Sequence, residues 1–157
     1  MGEALKRRLK QERFRSPQHE AILNLMVAAA HVRERTDRAF AERDLTGPQY
    51  NVLRILRGAG TDGLARIEVA RRMIARAPDL TRLIDRLARR GLVERGRSER
   101  DRRQSRAHIT KRGLQLLDEL EPGVNAVDRE IAQRLSAADA KTLSRLCERI
   151  YGENEGE

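Results

Sequence analysis

Between Pro78 and Gly91 the apolar residues Leu80, Leu83, Ile84 and Leu87 fall at i, i+3, i+4 and i+7, and after Gly91 that spacing stops. A helical period that gives way to short apolar pairs restricts the fold sharply. Pro78 suits a helix start and Gly91 a helix end. Leu92-Val93 and then Ala107-His108-Ile109 read as two short extended segments flanking the polar stretch Glu94 to Arg106. The expected unit is a helix followed by a β-hairpin with a long charged tip.

The rest of the chain reads as helices. Ser16-Pro17 is a start signal, and Ile22, Leu23, Leu25, Met26, Ala29, Ala30 and Val32 carry a helix on to Phe40. Thr46 with Gln49 three residues later has the capping-box pattern, ahead of Val52, Leu53, Ile55 and Leu56. Leu64, Ile67, Val69, Ala70, Met73 and Ile74 predict a third helix, broken at Ala77-Pro78. Thr110 caps a helix through Leu114, Leu117 and Leu120, bent at Pro122 and continuing past Val127 to Leu135. Ser136 starts the last, with Leu143, Leu146, Cys147 and Ile150. Residues 1–15 read as a basic arm, frayed or helical. Only 3% of the 157 residues are aromatic and none is Trp, which favours packed helices over an aromatic-rich sandwich. The fold class is therefore mainly α with a small β-hairpin wing.

Charge is concentrated. The formal net charge is +9, but Arg66 to Arg112 alone hold 16 Lys and Arg against 6 Asp and Glu. The other residues together are close to neutral, so a polyanion-binding surface is local to this segment. No apolar run approaches the roughly 20 residues that cross a bilayer, and no membrane partner is expected. The basic start lacks the apolar stretch of a secretion signal, and a lone Cys147 allows no intrachain disulfide. A cytoplasmic protein is expected.

The helix from Pro78 to Arg90 places Asp79, Thr81, Arg82, Asp85, Arg86 and Arg89 off its apolar stripe. Arg offers guanine a bidentate fork, Thr a hydroxyl and a methyl, and a helix N-terminus attracts phosphate. A solvated charged face fits the same helix equally well. The tip, with Arg97, Arg100, Asp101, Arg102 and Arg103, is harder to explain that way, because clustered like charge on a projection repels itself without a polyanion or a counter-charge. Asp101 can hold a neighbouring Arg in shape while the others enter a minor groove or grip its phosphates.

Leu80-Thr81-Arg82-Leu83-Ile84-Asp85-Arg86-Leu87, Arg90-Gly91-Leu92-Val93-Glu94-Arg95, Asp101-Arg102-Arg103 and Ile109-Thr110-Lys111-Arg112-Gly113 together resemble the multiple-antibiotic-resistance regulator (MarR) family of bacterial transcription factors. The resemblance runs from about Ser16 over nearly the whole chain. It implies a winged helix-turn-helix over 45–110 and dimerisation helices over 16–44 and 111–152. It further implies a homodimer on near-palindromic double-stranded promoter DNA, acting as a repressor released by a small effector. Arg82 then falls in the recognition helix, Arg103 at the minor-groove position of the wing, and Asp101 at the acid that orients it. The family's small aromatic or phenolic ligands direct attention to His31, Arg35 and Tyr50, each of which also suits a purely structural role. Cys147 reads as a small core residue.

Two other readings compete. A sequence-independent nucleoid- or RNA-associated protein would share the charge pattern. Gly58-Ala59-Gly60-Thr61-Asp62-Gly63 matches G-x-G-x-x-G, but a dinucleotide site needs strands on both sides of its turn and helix, and helical signals stand there instead. No metal, cofactor or catalytic constellation is expected, since His19, His31 and His108 are scattered and no hydrolase motif occurs.

Overall fold

The computed structural model describes residues 2–97 and 105–152. After a short helix α1 (Glu3–Leu9), the long helix α2 (Pro17–Ala41) begins where the Ser16 hydroxyl accepts from the His19 N–H at 3.1 Å. Of the two readings of the N-terminal segment, frayed or helical, the helical one is formed over Glu3–Leu9, where α1 buries Leu5. Helix α3 (Gly47–Gly58) opens with a reciprocal cap: Thr46 Oγ1 accepts from the Gln49 N–H, and Gln49 Oε1 from the Thr46 N–H. Two of the unsatisfied donors of the first turn are met in this way.

A 3-10 turn over Gly60–Asp62 leads to strand β1 (Leu64–Ala65) and helix α4 (Arg66–Arg72). Leu64, which the apolar spacing places at the start of the helix, instead lies in a strand and pairs with Ala107 in a sheet. Its burial is as expected, but Ile67 is exposed and Ile74 is 91% exposed. The three-residue step from Leu64 to Ile67 imitates a helical period across a strand-to-helix junction. Helix α5 (Leu80–Arg89) starts two residues later than Pro78, because the Asp79 carboxylate is the cap, accepting from the Arg82 N–H at 3.4 Å.

Strands β2 (Val93–Arg97) and β3 (Ser105–Ile109) are longer than their apolar residues suggested. Glu94, Arg95 and Arg106 belong to the ladder, since backbone pairing asks only one face to be apolar. The sheet order is β1-β3-β2, all antiparallel, with Val93 opposite Ile109 and Arg97 opposite Ser105. Helix α6 (Lys111–Ala132) carries Pro122 inside it as one element, and α7 (Ala137–Tyr151) starts at a Ser136–Asp139 capping box.

The core lies in the middle of the chain. Val52, Leu53, Leu56, Val69 and Leu87 expose no surface, and Phe40, Leu92, Leu117 and Leu120 join them from neighbouring elements. Each fully buried Leu or Val contributes about 1.5–3 kcal/mol relative to an exposed one. By contrast every residue of α7 stays at least partly exposed, including Cys147, which is therefore not a core residue within one chain. Among the described residues no helix is long and apolar enough to cross a membrane.

Candidate nucleic-acid interface

Helix α5 turns Leu80, Ile84 and Leu87 into the core and leaves Thr81, Arg82, Arg86 and Arg89 exposed. Asp79 has two bonds to one residue: besides capping the Arg82 N–H, its Oδ2 lies 3.2 Å from Arg82 Nε. Both side chains are largely solvated, so the pair adds little stability. Its effect is to hold the Arg82 guanidinium beside the helix N-terminus. Asp85 accepts from Arg95 Nη2, an ion pair that ties α5 to β2. An open cleft of about 580 Å³ runs between them, lined by Arg82, Asp85, Arg86, Ala88, Arg89 and Arg95.

The structure divides the cations of the basic segment. Arg90 donates to the Asp44 carbonyl at 2.6 Å and the Arg43 carbonyl at 3.0 Å, joining the end of α5 to the turn between α2 and α3. Arg95 and Arg106 are likewise engaged within the fold. Arg66, Arg71, Arg72 and Arg76 are exposed on α4 and the turn after it. They belong to the basic segment counted from the sequence, where no motif singles them out. That turn is fixed where Asn51 Oδ1 accepts from the Ile74 N–H at 2.9 Å.

In the wing, the backbone of Arg97 ends β2, and Arg100, Asp101, Arg102 and Arg103 lie outside the described residues. The effector candidates are placed as follows. His31 and Arg35 lie one turn apart on α2, with Arg35 paired to Glu130 of α6 at 3.2 Å. Tyr50, on α3, stacks on Phe40 with ring centroids 4.3 Å apart and its hydroxyl accepts from Arg54. The Gly58 to Gly63 segment runs from helix α3 through a 3-10 turn into β1, so the strand-turn-helix order of a dinucleotide site is not present there.

The MarR family model matches residues 43–104. A putative transcriptional regulatory protein for the hcr operon of Thauera aromatica is 31% identical over 102 residues, 65% of this chain and 60% of that protein, so the match spans under two-thirds of the relative's length. The crystal structure of a MarR transcription factor from Planctomyces limnophilus superposes with a TM-score of 0.66 at 38% identity, covering 87% of this chain and 98% of that one. The fold is also that of MepR from S. aureus in its DNA complex, at a TM-score of 0.71 and 20% identity over 83% of this chain and 94% of the other. With a three-stranded sheet flanked by α3 to α5, a capped basic helix, and a relative matched over nearly its full length, the chain belongs to the MarR family of transcriptional regulators.

Proposed function

We propose that the chain is a repressor that binds near-palindromic promoter DNA as a homodimer, with α5 as its recognition helix. The observation that carries this reading is the division of α5: its apolar stripe is buried, while Thr81, Arg82 and Arg86 are exposed beside an N-terminus that favours phosphate. Asp79 holds Arg82 in place for base readout, the exposed arginines of α4 take backbone phosphates, and Arg97 with Arg100 to Arg103 forms the wing contact. In this scheme residues 45–110 bind DNA, and 16–44 with 111–152 dimerise. Support for the dimer comes from exposed Ile22 and Met26 on α2 and Leu143, Leu146 and Ile150 on α7, apolar side chains that a second copy would cover.

A small aromatic effector is the further part of the proposal, received near His31, Arg35 and Tyr50. The buried Nε2 of His31 has no hydrogen-bond partner among the described residues.

Competition between a duplex from upstream of the protein's own gene and random duplex tests the reading. A specific regulator prefers the former by about 10³-fold or more at physiological salt. Equal affinity would favour the sequence-independent alternative and overturn the proposal.

A further inference from the structure

Gly63 has φ +59°, and a Cβ there would lie 2.6 Å from both the Ala107 carbonyl oxygen and the His108 ring. On the other side of the same ring, a Cβ at Gly96 would come within 3.0 Å of His108 Nε2. Since His108 pairs with Glu94, Gly96 is its diagonal neighbour on the same face of the hairpin. The imidazole is therefore seated between two glycines, one on each flank of β3. Its Nδ1 lies 3.1 Å from the Thr61 carbonyl oxygen, to which a neutral ring with the proton on Nδ1 donates. Two residues earlier on the same face, Arg106 Nη1 donates to the Asp62 and Gly63 carbonyls, both at 3.1 Å.

Three successive carbonyls of the loop entering β1 are thus held by two side chains of the wing. The backbone alone does little here, because β1 has only two residues, paired with Ala107 and Arg106. Core residues Val93 and Ala107 are buried, whereas His108 and Arg106 keep some exposure, so the bonds brace the hairpin without filling the core.

We propose that His108 and Arg106 are positioning residues for the wing: by fastening β3 to the Thr61–Gly63 loop they fix the direction in which the hairpin projects relative to α5. The inference rests on the reading of the chain as a winged-helix DNA-binding regulator. A hairpin fixed in the free protein loses less conformational freedom when it meets a groove, which appears as affinity.

The test uses the full chain and a duplex recovered by the wild type from a random-sequence pool. His108→Leu keeps bulk and removes the donor; His108→Asn restores an N–H near the position of Nδ1. His108→Leu is expected to bind on the order of tenfold more weakly. At saturating protein it loses hydroxyl-radical protection of the minor groove flanking the site, yet keeps dimethyl sulfate protection of guanine N7 in the major groove. His108→Asn recovers the minor-groove protection, and Arg106→Gln repeats the loss. Unchanged minor-groove protection in His108→Leu and Arg106→Gln overturns the proposal, and so does loss of both protections together, which marks general unfolding. If the wild type selects no duplex and gives no footprint, the regulator reading itself fails and the positioning role with it.

Discussion

Gly113 lies at a crowded junction: a Cβ there would sit 2.3 Å from the Leu92 carbonyl oxygen and 2.7 Å from the Ile109 side chain. Just before it, Thr110 Oγ1 donates to the Gly91 carbonyl at 2.7 Å and accepts from the Gly113 N–H at 3.1 Å. These two residues join the end of α5, the root of the hairpin and the start of α6. Gly113→Ala is expected to lower stability by about 1–3 kcal/mol through overpacking, seen as a lower urea midpoint with an unchanged slope. Arg82 is a different case, because its proposed contribution is directed at DNA. Arg82→Ala should cost about 1–3 kcal/mol of discrimination at one base pair in a binding assay over single-base variants, while Arg102→Ala should weaken all duplexes alike. Thr46, Ser136 and Thr110 were legible as caps because their partners lie three residues away. Arg90 was not, since the carbonyls it binds belong to Arg43 and Asp44, and no local pattern announces a bond over that separation.

At the level of elements, α5, α6 and α7 follow their apolar stripes closely, whereas β1 and α4 do not. Two residues of strand give no alternation to detect, and Leu64 is buried in either arrangement. The hairpin was visible in position but not in extent, because its outer face carries the charged residues of the ladder. Helix α7 shows what a single sequence conveys about assembly: its stripe is as regular as that of α5, yet Ile150 is 66% exposed and Leu143 and Leu146 are nearly half exposed. In the proposed dimer a partner copy would cover this stripe. Replacing Leu146 and Ile150 together by Asp should yield a monomer in sedimentation velocity and abolish tight binding to a two-half-site duplex. Ile74→Ser, on the remote turn after α4, should leave the oligomeric state unchanged.

Across the whole molecule, core and charge share one stretch of the chain: among the described residues of the basic segment 66–112, α4 and α5 carry exposed arginines and also bury Val69 and Leu87. The charge pattern along the sequence revealed this segregation, but it could not say which arginines are engaged within the fold: Arg90, Arg95 and Arg106 each bond to another part of the chain. The remaining cations predict a steep salt dependence. For six to ten phosphate contacts, affinity for any duplex should fall by about 10³ to 10⁵ between 50 and 200 mM salt, measurable by fluorescence anisotropy.

The two Arg90 bonds give α2 and α5 a shared joint. With 25 residues, α2 is a beam about 37 Å long. If the joint has no slack, tilting that beam by about 5° carries the end of α5 through about 3 Å, close to the 3.4 Å rise of one base along a strand. In the proposed dimer both beams would tilt together and the protein would act as a calliper, its jaws the two proposed recognition helices and their opening set by the packing of the helices proposed to dimerise.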